Sequence, residues 1–386
     1  MKIAILGFGT VGSGAYEVAK ATDGIEVVKI LERRTRPEHP EATAMMTTDI
    51  DEIVKDPEID LVAECMGGID VPFDFVTRAM KNGKHVVTPN KNLVSAKYKD
   101  LVRCAEENGV EFRFTPAAGG GIPWLFNLQR QARCDEMTEV FGIVNGTCNY
   151  ILDNMYTNGS AFDDVLKEAQ SLGYAEADPA SDIKGTDTLR KCVISANIAF
   201  SAEITEEDVP VFGIDKIGAD DIRFFKERDL VCKLIMHAGK KDGRLFAYVE
   251  PVLFGKGELE ANVATNNNLI TLIGKNVGRL SFYGQGAGKM PTGTSVIHDV
   301  LDIAEKISFK RSAKTNAFRV DNEAIKKKYY FHLYDVSSLP DALIDEMVPG
   351  GVGTHIITIP LTVAEAHAIA KDYDRKGDLA FMAGLR

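Results

Sequence analysis

Ile3-Ala4-Ile5-Leu6-Gly7-Phe8-Gly9-Thr10-Val11-Gly12 places four apolar residues ahead of three glycines spaced G-x-G-x-x-G. The apolar run predicts a strand, and the amphipathic stretch at 12–20 predicts a helix. Between them, the first glycine makes a tight turn, the second lets a pyrophosphate approach the backbone, and the third lets helix and strand pack closely. The helix N-terminus adds oriented N–H groups and a partial positive charge. Gly7, Gly9 and Gly12, with Thr10 and Val11 opening the helix, are therefore the expected contacts of a dinucleotide. Three glycines alone say little; the strand before them and the helix after give the spacing its meaning.

Outward from this turn the same alternation continues. Ile25–Leu31, Asp60–Cys65, His85–Thr88 and Glu111–Thr115 read as strands, with helices at 72–82 and 94–108 between them. Such alternation implies an α/β domain of the Rossmann type, a parallel sheet covered on both faces. Glu32 stands twenty residues after Gly12, where an acid would bond a ribose 2′-hydroxyl and favour NAD(H). Arg33, Arg34 and Arg36 follow at once, and guanidinium groups there suit the 2′-phosphate of NADP(H). The arginines tilt the reading to NADP(H), with NAD(H) left open.

From about Met137 the pattern changes. Glu139–Val144, Leu234–Ala238, Phe246–Val252 and Leu280–Tyr283 read as strands, while 146–158, 162–172 and 182–200 read as a block of helices, an α+β arrangement. A helix at about 293–306 follows the loop Gly284–Gly288. The tail reads strand 328–334, helix 339–348, strand 354–359, helix 362–373, strand 378–383. The expected domains are thus 1–135, completed by about 284–320, for the dinucleotide; 136–283 for substrate and dimerisation; and 326–386 as a small α+β unit.

Bulk properties narrow the class. The chain has 386 residues and a formal net charge of -11, which argues against a nucleic-acid partner because phosphate binding needs a basic face. The run Lys326-Lys327-Lys328 reads as the solvated start of a strand. Apolar stretches are too short to span a bilayer. Six scattered cysteines without a CxxC pair read as buried thiols in a reducing compartment, so a cytoplasmic protein is expected. The seven histidines show no HxH or HExxH spacing, and no zinc site is expected from it.

Chemistry concentrates in Thr88-Pro89-Asn90-Lys91, Gly119-Gly120-Gly121-Ile122-Pro123, Asn145-Gly146-Thr147-Cys148-Asn149-Tyr150, Gly173-Tyr174-Ala175-Glu176-Ala177-Asp178-Pro179, and Gly185-Thr186-Asp187-Thr188-Leu189-Arg190-Lys191. On a helix from about Asp182, Asp187 and Lys191 share one face, continued by apolar Ile194 and Ile198. That stripe predicts partial burial, and buried charges need partners. Read alone, the pair is an ordinary intrahelical salt bridge. Glu176, arriving from the preceding loop, would let two carboxylates hold a substrate ammonium beside the lysine.

With Gly284-Gln285-Gly286-Ala287-Gly288, these segments resemble the homoserine dehydrogenase family in order and spacing over roughly residues 1–310. The resemblance implies NAD(P)-dependent interconversion of L-homoserine and L-aspartate 4-semialdehyde, the rivals being another amino-acid oxidoreductase or a non-catalytic sensor on the same scaffold. It implies Lys191 as the acid/base and Lys91 as a second active-site lysine beside nicotinamide and substrate. Glu176 and Asp187 would bind substrate, Thr147 and Tyr174 would touch it, and Gly288 would contact the cofactor. A lysine moves protons near neutral pH only if its pKa falls, which burial and a second cation promote. Direct hydride transfer calls for no catalytic metal. The family's monovalent cation, Na+ or K+, would sit on the backbone of Thr115, Ala118, Gly120 and Ile122, although Thr115-Pro116 replaces the family's usual Glu-Ala. A homodimer or higher oligomer is implied. The tail resembles a shortened ACT unit lacking one strand, in which Asp341 stands where glycine would admit an amino acid.

Overall fold

The computed structural model describes residues 1–307 and 318–386 and divides into two compact units. The predicted completion of the first domain at about 284–320 falls partly outside the described residues.

The first unit holds Met1–Cys134 and the chain from Gly284. In chain order it contains β1 (Lys2–Leu6), α1 (Thr10–Lys20), β2 (Glu26–Leu31), β3 (Met46–Thr47), β4 (Leu61–Glu64), α2 (Asp70–Lys81), β5 (His85–Val87), α3 (Lys91–Asn108) and β6 (Phe112–Arg113). The sheet order is β3-β2-β1-β4-β5-β6, and every pairing is parallel. The order reverses between β1 and β4, so the loops leaving those strands flank the crevice where open α/β sheets bind ligands. Ile3, Ile5, Leu61, Ala63 and Val87 form a core with Ala15 of α1 and with Val296 and Val300 of the helix Lys289–Ala304. That helix lies tight against α1: a Cβ on Gly14 would stand 2.2 Å from the Lys289 carbonyl oxygen, and one on Gly293 would stand 2.6 Å from the Ala15 nitrogen. These two glycines are there for close approach.

The second unit begins at Asp135. It carries β7 (Met137–Ile143), α4 (Gly146–Asn158), α5 (Thr186–Phe200), α6 (Ala219–Lys226), β8 (Leu230–Lys241), β9 (Arg244–Gly255), β10 (Asn267–Gly274) and β11 (Gly278–Gln285). Asp242 and Gly243 both take positive φ (53° and 75°) in a two-residue hairpin loop that pairs Lys241 with Arg244. Such a turn matches strand twist and locks the register of the two twelve-residue strands. The expected helix from Asp182 is instead two. Ala180–Ile183 is a short turn, and Gly185 at φ +83° breaks it from α5.

The tail contributes β12 (Tyr329–Leu333), β13 (Ile344–Pro349), β14 (Thr354–Thr358), α7 (Val363–Lys376) and β15 (Leu379–Leu385). Its strands run β15-β12-β14-β13, all antiparallel, and β15 pairs in parallel with β9 to make one nine-stranded sheet. In chain order the tail strands lie 4-1-3-2, the split-βαβ arrangement of ferredoxin-like modules. Two expectations are corrected here. No strand is missing, and the predicted helix 339–348 is a short 3₁₀ turn, Asp341–Leu343, followed by β13. The segment carries no strict helical period, and pairing with β14 satisfies its backbone instead. What the tail lacks is its first helix. As the sheet edge, β13 carries Asp345, Glu346 and Pro349, residues that discourage further strand addition. The basic run is corrected too: Lys327 is largely buried and its ammonium pairs with the fully buried Glu250.

Candidate active site

In the first unit, Gly7 has φ +90°, and a Cβ there would stand 3.0 Å from the Cys65 carbonyl oxygen. A Cβ on Gly12 would lie 2.0 Å from the Gly7 carbonyl oxygen, whereas one on Gly9 would meet nothing within 4 Å. Open space over Gly9, at the start of α1, is what a pyrophosphate needs. Thr10 and Val11 are the first two residues of that helix, and Gly288 at φ +128° precedes the helix Lys289–Ala304.

Glu32 is already committed within the protein. Its carboxylate accepts from the N–H groups of Phe8 (3.2 Å), Arg33 (2.8 Å) and Arg34 (3.3 Å), and from the Arg36 guanidinium (3.3 Å). Burial pushes its pKa up, but the N–H groups of Arg34, Phe8 and Arg33 and the Arg36 guanidinium outweigh burial and hold the acid below its usual range. Arg33 and Arg34 are exposed.

Lys91 opens α3. Asn90 caps that helix by accepting from the Leu93 N–H (3.1 Å), and its amide donates to the Gly68 carbonyl (2.9 Å). The Thr88 hydroxyl donates to Glu64 (2.5 Å), a fully buried carboxylate at the end of β4 that also accepts from the Met66 N–H (2.7 Å). Burial raises the Glu64 pKa against these donors. Sequence reading missed Glu64, whose only mark is a charge closing an otherwise apolar strand.

The loop offered for a cation is held by bonds of its own. Ser295 donates to the Gly120 carbonyl (2.7 Å), the Trp124 N–H to that of Ile122 (2.7 Å), and the Thr115 N–H to Asp299 (2.9 Å). Ala118 is extended. Burial pushes the Asp299 carboxyl up to about 7.

In the second unit, Gly185 lets the chain turn sharply into α5. A Cβ there would come within 2.9 Å of Val211. Asp187 then falls in the first turn, where the helix end favours an anion. It is 4% exposed, and Lys191, one turn on, is 7% exposed. The Lys191 ammonium donates to Asp187 (2.8 Å) and to the Val144 carbonyl (2.6 Å), which uses two of its three donors. The amide of Asn145 donates to both Asp187 (2.8 Å) and Asp182 (2.7 Å), while its oxygen caps α4 by accepting from the Cys148 N–H (2.8 Å). Asn145 ties the ends of β7 and α4 to the Asp187–Lys191 pair. Nothing in linear spacing connects Asn145 to α5, so the sequence alone does not mark it.

The Thr147 hydroxyl donates to the Tyr174 carbonyl (2.6 Å), and the Tyr174 ring meets Tyr150 edge-on at 5.2 Å. Tyr174 is 40% exposed and Glu176 is exposed. The structure brings Asp187, Lys191, Asn145 and Asp182 together, and Thr147 to Tyr174. The exposed Glu176 carboxylate stays outside that hydrogen-bonded group. The arrangement can present an ammonium, held from behind by a carboxylate and a carbonyl, to a reacting oxygen.

Comparison with known proteins bears on what the arrangement does. A family model described as Homoserine dehydrogenase matches residues 123–301, and one described as Homoserine dehydrogenase, NAD binding domain matches residues 7–115. The homoserine dehydrogenase of Bacillus subtilis is 36% identical over 320 residues, spanning 80% of this chain and 73% of that one. The enzyme of Corynebacterium glutamicum is 38% identical over 317 residues, spanning 78% and 71%. A crystal structure of a homoserine dehydrogenase from Thiobacillus denitrificans is similar with a TM-score of 0.85 at 32% identity, covering 100% of this chain and 98% of that one.

Proposed function

Because the chain belongs to the homoserine dehydrogenase family, an NAD(P)-dependent oxidoreductase family, we propose that Lys191 is its acid/base and that Lys91 is a second lysine serving nicotinamide and substrate. The observation that carries this reading is the buried Lys191, backed by Asp187 and Val144 and keyed by Asn145. When bound, the nicotinamide supplies or accepts the hydride. In reduction of L-aspartate 4-semialdehyde, Lys191 gives a proton to the aldehyde oxygen as that oxygen gains charge. In oxidation of L-homoserine it takes the hydroxyl proton. Asp187 holds the ammonium from behind through a 2.8 Å hydrogen bond. Asp187 and Glu176 are assigned to the substrate ammonium, and Thr147 and Tyr174 to substrate contact.

Gly7, Gly9, Thr10, Val11, Gly12 and Gly288 are assigned to the dinucleotide. NADP(H) is the preferred partner in this reading, supported by exposed Arg33 and Arg34 and by a Glu32 whose carboxylate already accepts four donors. A Na+ or K+ ion on the carbonyls of Thr115, Ala118, Gly120 and Ile122 fits less well. Gly120 and Ile122 each already accept a hydrogen bond, so an ion would have to use their second lone pairs. We assign 1–135, completed by about 284–320, to cofactor binding, 136–283 to substrate and dimerisation, and 326–386 to an accessory ACT-like unit. Among the described residues no helix is long and apolar enough to cross a membrane; the proposed working form is a cytoplasmic homodimer or higher homo-oligomer. The deciding experiment is steady-state oxidation of L-homoserine with NADP+ and with NAD+, in the presence and absence of Na+ and K+. Folded protein that turns over with neither cofactor would overturn the assignment.

A further inference from the structure

A buried polar cluster under the tail sheet has no part in the chemistry above. His332 on β12 and His355 on β14 are cross-strand partners with ring centroids 4.5 Å apart. They are 5% and 4% exposed. Behind them, the Tyr330 hydroxyl donates to Asp221 of α6 (2.6 Å) and lies 2.7 Å from His355 Nδ1. The same Asp221 oxygen lies 2.9 Å from His332 Nδ1. Both rings are therefore fixed at Nδ1, and His355 Nε2 stands 3.8 Å from Asp220 Oδ2. One oxygen of Asp220 and one nitrogen of each ring all lie within 4.8 Å of one another.

The turn between β13 and β14 closes over this point. The N–H groups of Gly351 (2.8 Å) and Val352 (3.4 Å) donate to Asp220 Oδ2, and the Val352 carbonyl lies 2.5 Å from His332 Nε2. A Cβ on Gly350 would lie 2.8 Å from His355 Nε2, and one on Gly353 would lie 3.3 Å from His332 Nε2. Glycine at both positions keeps carbon away from the two ring nitrogens.

We propose that Asp220, His332 and His355 form a site for a divalent cation of the zinc class, which clasps the tail hairpin to α6. Two imidazoles and a carboxylate are an ordinary donor set for such an ion. Metal-binding histidines characteristically give their other ring nitrogen to a carboxylate or hydroxyl, and Asp221 and Tyr330 occupy those positions. The Val352 carbonyl is placed as a further oxygen. Donors about 2.0–2.2 Å from a tetrahedral ion lie about 3.3 Å apart, so the widest spacing must close by about 1.5 Å. Asp220, the least buried of the three at 19% side-chain exposure, has the freedom to move. Two carboxylates would balance the ion's charge. In its place the cluster holds the Arg223 guanidinium on Asp220 and a His332 that can donate to both Asp221 and Val352. That is the arrangement the ion competes with.

The test uses the full chain, stripped with chelator and titrated with Zn2+, with Mg2+ as a hard-cation control. One Zn2+ per chain at about micromolar affinity or better, a Tm rise of several degrees and no response to Mg2+ are expected. His355→Gln keeps a hydrogen-bonding side chain but should weaken Zn2+ by at least about tenfold, leaving homoserine turnover without added metal unchanged. Because that variant could misfold, Co2+-loaded wild-type protein supplies a second readout: tetrahedral d–d bands without thiolate charge transfer, since no cysteine is in the set. Failure of folded wild-type protein to bind Zn2+ would overturn the proposal. So would unchanged affinity in folded His355→Gln, or a thiolate band in the Co2+ form.

Discussion

Replacing Lys191 separates a catalytic lysine from a structural ion pair. Lys191→Met keeps most of the side-chain volume but removes the ammonium that bonds Asp187 and Val144 in a site 7% exposed. Removing one partner of a buried pair costs about 3–5 kcal/mol. For a domain of this size each kcal/mol moves Tm by about 2–4 °C, so a fall of about 6–20 °C is expected. Loss of a general acid/base lowers turnover by about 10²–10⁴-fold, or about 3–5.5 kcal/mol in the barrier. The two losses are similar in size, so a single variant cannot tell them apart. The double variant Lys191→Met/Asp187→Asn can. It leaves no buried unpaired carboxylate, and the amide oxygen introduced in its place can still accept from the Asn145 amide. Thermal melts should recover most of the lost stability, while homoserine oxidation stays depressed and NADPH binding stays near wild type. Turnover that returns along with the Tm would refute the proton-transfer role and leave Lys191 as a salt bridge.

Replacing Arg33 and Arg34 by alanine should weaken NADP(H) roughly tenfold to hundredfold and NAD(H) little, as fluorescence titration would show; equal losses would make Glu32 the ribose reader. Asp299 predicts a pH effect. Burial raises its folded pKa from 3.8 to about 7, so the native state holds the extra proton between those values and stability falls as pH rises through the window. Asp299→Asn can still accept the Thr115 N–H and should gain up to about 4 kcal/mol at pH 8 and almost nothing at pH 4, the bound set by about three pH units; parallel Tm-versus-pH curves for the two proteins would contradict this. L-Threonine should not inhibit. After its first strand the tail has a 3₁₀ turn in place of a helix, and Asp341 would repel a ligand carboxylate there. Saturable threonine inhibition that vanishes on deleting the chain after about Lys326 would show otherwise.

What was legible in the chain was whatever one segment could decide for itself. Gly7-Phe8-Gly9-Thr10-Val11-Gly12 specifies a turn and a helix start without reference to anything distant, and its surroundings in the sheet are as expected. Asp187 and Lys191 lie one helical turn apart, so their pairing followed from the 3.6 period once a helix was assumed. Glu32 shows the limit of that kind of reading. Its place at the end of β2 was visible, but the four donors that already fill its carboxylate were not, because one of them comes from the glycine turn after β1.

Contacts set by sheet register were the ones that stayed hidden. Asn145 and Asp187 are 42 positions apart. They meet because β7 delivers Asn145 to the start of α4 while Gly185 swings α5 round to the same point. His332 and His355 face each other only because β14 follows β13 through a glycine turn and returns beside β12 in register. No H-x-H or H-E-x-x-H spacing announces them, because strand register and not linear spacing brings the two rings together. The misread helix at 339–348 has the same origin. Its residues carry no strict period, and its backbone takes the strand form because β14 offers a partner for it. That choice has a structural consequence. With no helix of its own at that point, the tail sheet presents Tyr330 to Phe224 and Phe225, and its histidines to Asp220 and Asp221, on α6 of the second unit. A tail that had kept the predicted helix would have had no strand β13 and no glycine turn over Asp220. The element that sequence periodicity failed to find is thus the one that closes the cluster.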